Sequence, residues 1–260
     1  MEQKEYAIDR LQMYFGDDYR VADGIVISQP TIGDIVKFGE ERFNQVLFPF
    51  VTNPTSIRAA LWQQGTDWTK VTDYELFCQL ILQLKPTPEE TSLLFGDLDF
   101  SKFELFKRQR DVDGEEIEDV VLLNEEQQVL IDEDVYGRIS NYLRTMFNTF
   151  PKVEKAKGKT TKQWMIEEDL RKSNERPKHS STLLSMISFC LNHPGFKYKK
   201  SELRDIGIVE FYDSVQRLLI YESTSSLMKG IYSGFVDTSK IAREEFDFMR
   251  ETNVTNQTKN

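Results

Sequence analysis

The sequence predicts an α+β fold, mainly helical, with a small antiparallel β meander and hairpins in its N-terminal half. Three observations carry this. Apolar residues recur at helical spacing behind Thr-x-x-acid capping boxes at Thr31/Asp34 and Thr72/Glu75. Asp23-Gly24 stands between the apolar runs 19–21 and 25–27, a strong hairpin signal. Between 98 and 131 the helical period gives way to short apolar runs parted by turn residues, then returns.

In chain order, Tyr6, Ile8, Leu11, Tyr14 and Phe15 set a first helical face, closed by Gly16. After the hairpin, Pro30 ends the second strand because it has no N–H for a ladder. The helix behind Thr31 is expected to gather Ile32, Ile35, Val36, Gly39 and Phe43 on one side. A short helix through Ile57, Ala60 and Leu61 ends at Gly65. The box at Thr72 opens an apolar helix through Leu76, Phe77, Leu80, Ile81 and Leu84, stopped by Pro86, and Pro88-Glu89-Glu90 starts another short one.

Phe100, Phe103, Leu105, 120–123 and 129–131 read as a three-stranded antiparallel meander with turns at Asp113-Gly114 and 124–126. Val135, Ile139, Tyr142, Leu143, Met146 and Phe147 form one face of a helix over 132–148. Further helices are expected near 161–174, 180–192, 208–222 and 239–249. The third from the end is apolar nearly all round (Leu183, Leu184, Met186, Ile187, Phe189, Leu191) and is expected to be a buried core helix.

The 260 residues suffice for one large domain or two small ones, with an aromatic core supplied by 18 Phe and 10 Tyr. Charge divides the chain. Residues 1–150 hold 14 Lys+Arg against 28 Asp+Glu, residues 151–200 hold 12 against 5, and residues 201–260 hold 7 against 10. The expected organisation is an acidic α+β portion (1–150), a basic linker (151–160), a helical portion (161–249) and a disordered tail (250–260). Two domains and two halves of one core both fit it.

The net charge of −10 argues against a molecule that coats nucleic acid or an anionic membrane. No apolar run approaches the ~20 residues of a membrane span, and the charged start lacks a secretory h-region. Cys78 and Cys190, each in an apolar run, read as buried thiols of a reducing compartment.

Chemical motifs are weak. Asp111 to Asp119 imitates a calcium loop, but Gly114 falls at position 4 and Leu122 at position 12, so it reads as a hairpin tip. Asp97, Asp99 and Glu104 have no second ligand set. His179 and His193 have no partner at metal spacing, and no phosphate-binding or nucleophile-elbow motif occurs. No enzyme activity, cofactor or metal is expected. The strongest interaction signal is the basic run Lys152, Lys155, Lys157, Lys159, Lys162, Arg171, Lys172, Arg176 and Lys178, with Trp164 its one aromatic. It reads as a solvated linker, a dock for an acidic protein segment, or, least favoured, a phosphate-contacting surface. A short echo joins Ile32-Gly33-Asp34-Ile35 to Ile206-Gly207-Ile208-Val209.

The runs Met13-Tyr14-Phe15-Gly16, Ile27-Ser28-Gln29-Pro30-Thr31-Ile32-Gly33-Asp34-Ile35, Phe38-Gly39-Glu40, Leu94-Phe95-Gly96-Asp97-Leu98-Asp99-Phe100 and Tyr232-Ser233-Gly234-Phe235-Val236-Asp237 resemble a family from tailed phages and prophages of Gram-positive bacteria. The resemblance spans most of the chain, from Tyr6 to Met249. It implies a protein of the tail morphogenesis cluster acting in the host cytoplasm, most simply a tail assembly chaperone. The implied partners are the tape-measure protein or tail tube proteins, or further copies of the chain. A structural component of the tail or baseplate is the alternative. The family carries no catalytic motif, so no site residue is transferred.

Overall fold

The computed structural model describes residues 6–112, 115–175, 181–234, 239 and 241–252. It is an α+β, mainly helical molecule with two small antiparallel sheets. Helix α1 (Arg10–Phe15) is capped by the Asp9 carboxylate and closed by Gly16 at φ 80°. Strands β1 (Tyr19–Ala22) and β2 (Ile25–Ile27) form the expected hairpin. Helices α2 (Ile32–Phe38), α3 (Glu40–Val51), α4 (Arg58–Gln63), α5 (Asp73–Leu84) and α6 (Pro88–Phe95) follow. The meander is β3 (Glu104–Val112), β4 (Glu115–Asn124) and β5 (Val129–Ile131), in that order. Helices α7 (Glu133–Met146), α8 (Lys159–Glu175), α9 (Thr182–Asn192) and α10 (Ile208–Tyr232) complete it.

The capping boxes act as the sequence requires. Thr31 Oγ1 accepts from the Asp34 N–H while Asp34 accepts from the Thr31 N–H, and Thr72/Glu75 and Thr87/Glu90 repeat the pattern. Hydrogen bonding to Thr31 holds the Asp34 carboxyl below its usual range.

The core is built on rings. Phe50, fully buried on α3, lies 5.6 Å from Phe77, 4.8 Å from Phe95 and 5.1 Å from Phe100, between centroids. Phe77 stacks on Tyr136 of α7 at 4.6 Å. Arg144 closes α3 by donating to the carbonyls of Val51 (3.0 Å) and Thr52 (2.7 Å) and to Asp73 (3.0 Å). The same core takes Leu183 and Cys190 from α9 and Ile208, Phe211, Val215 and Leu218 from α10. The acidic front and the helical back therefore share one core.

That union passes through one strap. Residues 28–33 run beside 204–209: the Ile32 N–H donates to Ile206 O (3.0 Å), the Ile208 N–H to Pro30 O (3.1 Å), and Thr31 bridges Gly207. Gln29 locks it from the side, donating through Nε2 to Met13 O (2.7 Å) and accepting the Val209 N–H on Oε1 (3.2 Å). The two segments of the sequence echo thus lie against each other. Gly33 is required here, since a Cβ would come within 2.7 Å of Arg204 O.

Several expectations are corrected. The helix behind Thr31 breaks at Gly39, whose φ of 98° suits glycine, α3 begins at Glu40, and Val36 of the expected face is exposed. On α1 only Met13 is buried, while Leu11 and Phe15 point outward. Phe100 stands in a 3-10 turn over Phe100–Lys102 capped by Asp99, not in a strand, and Phe103 follows it; both rings are core. The apolar helix 180–192 is not engulfed: Leu183 and Cys190 are buried, but Leu184 is 64% exposed. Helix α10 runs ten residues past the expected end at 222, through the Ser/Thr run, to Tyr232. Within the expected helix over 239–249, the described residues form a 3-10 turn at Arg243–Phe246 and no α-helix. Most of the expected disordered tail, and the Asp113-Gly114 turn, lie outside the described residues.

Replacing Gly33 with Ala is expected to lower the unfolding free energy by about 1–3 kcal/mol, the usual cost of overpacking against backbone. Urea denaturation measures it. A change within about 0.5 kcal/mol would show that the strap slides to make room.

Candidate interaction surfaces

The basic segment, the sequence's best interaction signal, is largely docked rather than free. Asn53 Nδ2 donates to Lys152 O (2.9 Å), and Glu154 N–H reaches Thr55 Oγ1 (3.3 Å). Ala156 and Ile166 are buried in a second small core with Leu61, Trp68 and Leu76. The reason is electrostatic as well as apolar. Arg58 of α4 is almost wholly buried and grips Asp169 of α8 through two bonds (Nε–Oδ2 2.5 Å, Nη2–Oδ1 2.8 Å), and Glu154 through its third nitrogen. Bidentate geometry is what a guanidinium supplies and an ammonium cannot.

The nine basic residues therefore separate. Lys162 is buried: its ammonium donates to Asp67 Oδ2 (2.6 Å) and Thr69 Oγ1 (2.8 Å) and lies 5.6 Å from the Trp68 ring centroid. That corrects its place among interaction residues. Lys172 pairs with Glu168 of its own helix at 2.6 Å. Lys152, Lys155, Lys157 and Lys159 are exposed, as is Arg171, which has an interaction of its own. Arg176 and Lys178 lie outside the described residues. Also, α8 begins at Lys159, so the expected linker over 151–160 is a short strap entering a helix. Two of its neighbouring acids are consumed by Arg58, which leaves the exposed lysine row more positive than its sequence suggests.

Several groups considered for chemistry are tied into local structure. Asp99 accepts from the Ser101 N–H and Oγ, capping the 3-10 turn. Asp97 contributes its carbonyl to Gln127 Nε2. His193 accepts the Gly195 N–H on Nδ1 (3.0 Å), so Nε2 carries the proton and faces Glu222 Oε1 at 3.0 Å. Both ring nitrogens are thus committed to hydrogen bonds. His179 lies outside the described residues. Burial pushes the thiols of Cys78 and Cys190 up to about 11, well away from thiolate chemistry at neutral pH. Among the described residues no three His, Cys, Asp or Glu side chains are grouped to hold a metal ion. No helix among them is long and apolar enough to cross a membrane.

Beside the lysine row, two further surfaces stand out among the described residues. One is the distal part of α10, residues 219–232. Tyr221, Met228 and Tyr232 recur at i, i+7 and i+11, with Tyr232 83% exposed. The neighbouring row holds Ile220, Leu227 and Ile231 around Thr224, whose hydroxyl donates to Glu245 O (3.1 Å). Tyr221 also meets the half-exposed Phe248 ring at 5.8 Å, beside exposed Met249. Sequence reading missed this face by ending the helix at 222; the signal was the helical period of Leu227, Met228 and Ile231 beyond the serines.

The second surface is a cleft between α1, the end of α7 and α10, reached by Glu251 and Thr252. At its edge the exposed Asn148 takes a left-handed backbone (φ 48°), tolerable for asparagine, which turns the chain out of α7.

Compared with protein-family models, curated proteins and solved structures, the chain matches none. Its surfaces must be read on their own chemistry.

Replacing Arg58 with Met is expected to cost about 2 kcal/mol or more. That is below the 3–5 kcal/mol of a fully buried pair, because both carboxylates keep solvent contact, while Lys155→Met should stay within about 0.5 kcal/mol. Denaturant titration of both variants checks this.

The Lys162 hydrogen bond holds Asp67 down to about 2, against an ordinary value near 4. Its contribution to stability is therefore complete above about pH 4 and disappears as pH falls toward 2. Lys162→Met should remove that part of the acid transition, read by circular dichroism against pH.

Proposed function

We propose that this chain is a non-enzymatic morphogenesis protein of a tailed phage, a tail assembly chaperone that binds the tape-measure protein in the host cytoplasm. The observation that carries the reading is the open apolar face over residues 219–232 of α10. At 1.5 Å per residue it offers about 20 Å of helix surface. An apolar stripe of that length matches helix-against-helix recognition, in which i, i+3, i+4 and i+7 side chains of an amphipathic partner supply the contacts. A tape-measure protein is long and largely helical, and its apolar stripes aggregate unless covered during assembly. The family resemblance of the stretches around Gln29-Pro30-Thr31-Ile32-Gly33 supports the same reading. So does the exposed lysine row, a second contact for an acidic partner segment.

Co-expression tests it. The chain should keep the phage's tape-measure protein in the supernatant, and the double variant Tyr221→Glu/Tyr232→Glu should return most of it to the pellet while unfolding as the parent does. Mass spectrometry of purified particles should not find the chain. Its presence at fixed stoichiometry in every particle would replace the chaperone with a structural component of the tail or baseplate.

A further inference from the structure

The distal face of α10 is partly covered by the chain itself. Residues 243–250 cross its upstream end, where Thr224 stands in the row Ile220, Thr224, Leu227 and Ile231. Thr224 is wholly buried, and its hydroxyl donates to Glu245 O (3.1 Å) and accepts from Arg250 Nη1 (2.8 Å). The Arg250 guanidinium also donates to Ser223 Oγ (3.0 Å) and, within its own segment, to Glu245 O (2.9 Å). Arg217 of α10 completes the attachment, donating from Nη1 to Arg250 O (2.7 Å). Beside these bonds the Phe248 ring lies 5.8 Å from that of Tyr221.

Apolar burial is the weak part of this contact. The turn Arg243–Phe246 has no buried residue, Phe248 is half-exposed, and Met249 is 84% exposed. Hydrogen bonds exchanged against water stabilise little, whereas burial of apolar area is the main term in association. A segment held chiefly by exchangeable hydrogen bonds belongs to the least stable part of a fold. Letting go strands no buried group. Arg250 passes into water, and a helical threonine can turn its hydroxyl to the carbonyl four residues back, here that of Ile220. An amphipathic helix laid along Ile220, Tyr221, Leu227, Met228 and Ile231 would bury apolar area that the segment leaves exposed. It cannot reach the upstream end while Phe248 and Arg250 stand there.

We propose that residues 243–250 are a detachable intramolecular cover, latched by Arg250, that competes with the partner for the distal face of α10. The proposal rests on the reading of that face as the partner's seat and adds its regulation. In the free chain the cover shields the upstream end, so the full length of the face opens only to a partner able to displace it.

The test uses the full chain and two variants that cut the latch from opposite sides, Arg250→Ala and Thr224→Val. Both should bind an apolar-surface dye about twofold more strongly than the parent, with the parent's urea midpoint. In co-expression, at a ratio where the parent solubilises only part of the tape-measure protein, both should leave more of it in the supernatant. Dye binding equal to the parent's would overturn the proposal. A lowered urea midpoint in both variants would also overturn it, since the segment would then be an integral part of the fold. So would an equal or smaller soluble fraction, because the segment would then be neutral or part of the seat. A parent that solubilises none sinks the chaperone reading alone; the cover then stands or falls on the dye.

Discussion

The structure depends on the pairing of residues 28–33 with 204–209. Ile208, Phe211 and Val215 belong to the same buried cluster as Phe50, and the bond from the Ile208 N–H to Pro30 O stands where they enter it. A few backbone hydrogen bonds are worth about 1 kcal/mol each, so the strap does not hold the halves by itself. It sets their register, and burial of Phe211 and its neighbours supplies the free energy. Gln29 fixes that register by binding α1 with one end of its amide and the start of α10 with the other. The run Gln29-Pro30-Thr31-Ile32-Gly33 is thus an architectural device.

Local chemistry was legible in the sequence wherever a single short-range interaction decided the outcome. Thr31/Asp34, Thr72/Glu75 and the Asp23-Gly24 hairpin stand where their residues placed them, and the meander has the expected order. Decisions that required a distant partner were not legible. Lys162 looked like part of a solvated run because its partners, Asp67 and Thr69, are more than ninety residues away. Leu11 and Phe15 carried an apolar face, but the one buried residue of α1 is Met13. At Gly39 the apolar period continued while the backbone did not, since periodicity does not register a positive φ.

The basic segment shows how charge counting misleads when ion pairs are internal. Arg58 lies in the acidic half and removes two carboxylates from the basic one, so the division of charge in the folded surface is sharper than in the chain. The docked strap also gives the charged run a fixed geometry: its exposed lysines project from a segment held at Lys152, Glu154 and Ala156. A rigid row of ammonium groups discriminates between partners better than a flexible one, which would pay ordering entropy on every encounter.

The Thr31–Gly207 bridge has a consequence for synthesis in the cell. Its two sides lie about 180 residues apart, so the ribosome completes the first well before the second exists. At 5–20 residues per second that delay is about 10–40 s, during which Gln29, Pro30 and the exposed side of Ile32 have only water or other chains as partners. The hairpin and its capped helix can form in microseconds to milliseconds, then wait. A product released before residue 209 is made would have a formed but uncovered front half, so the arrival of the 204–209 segment is what closes the front of the core.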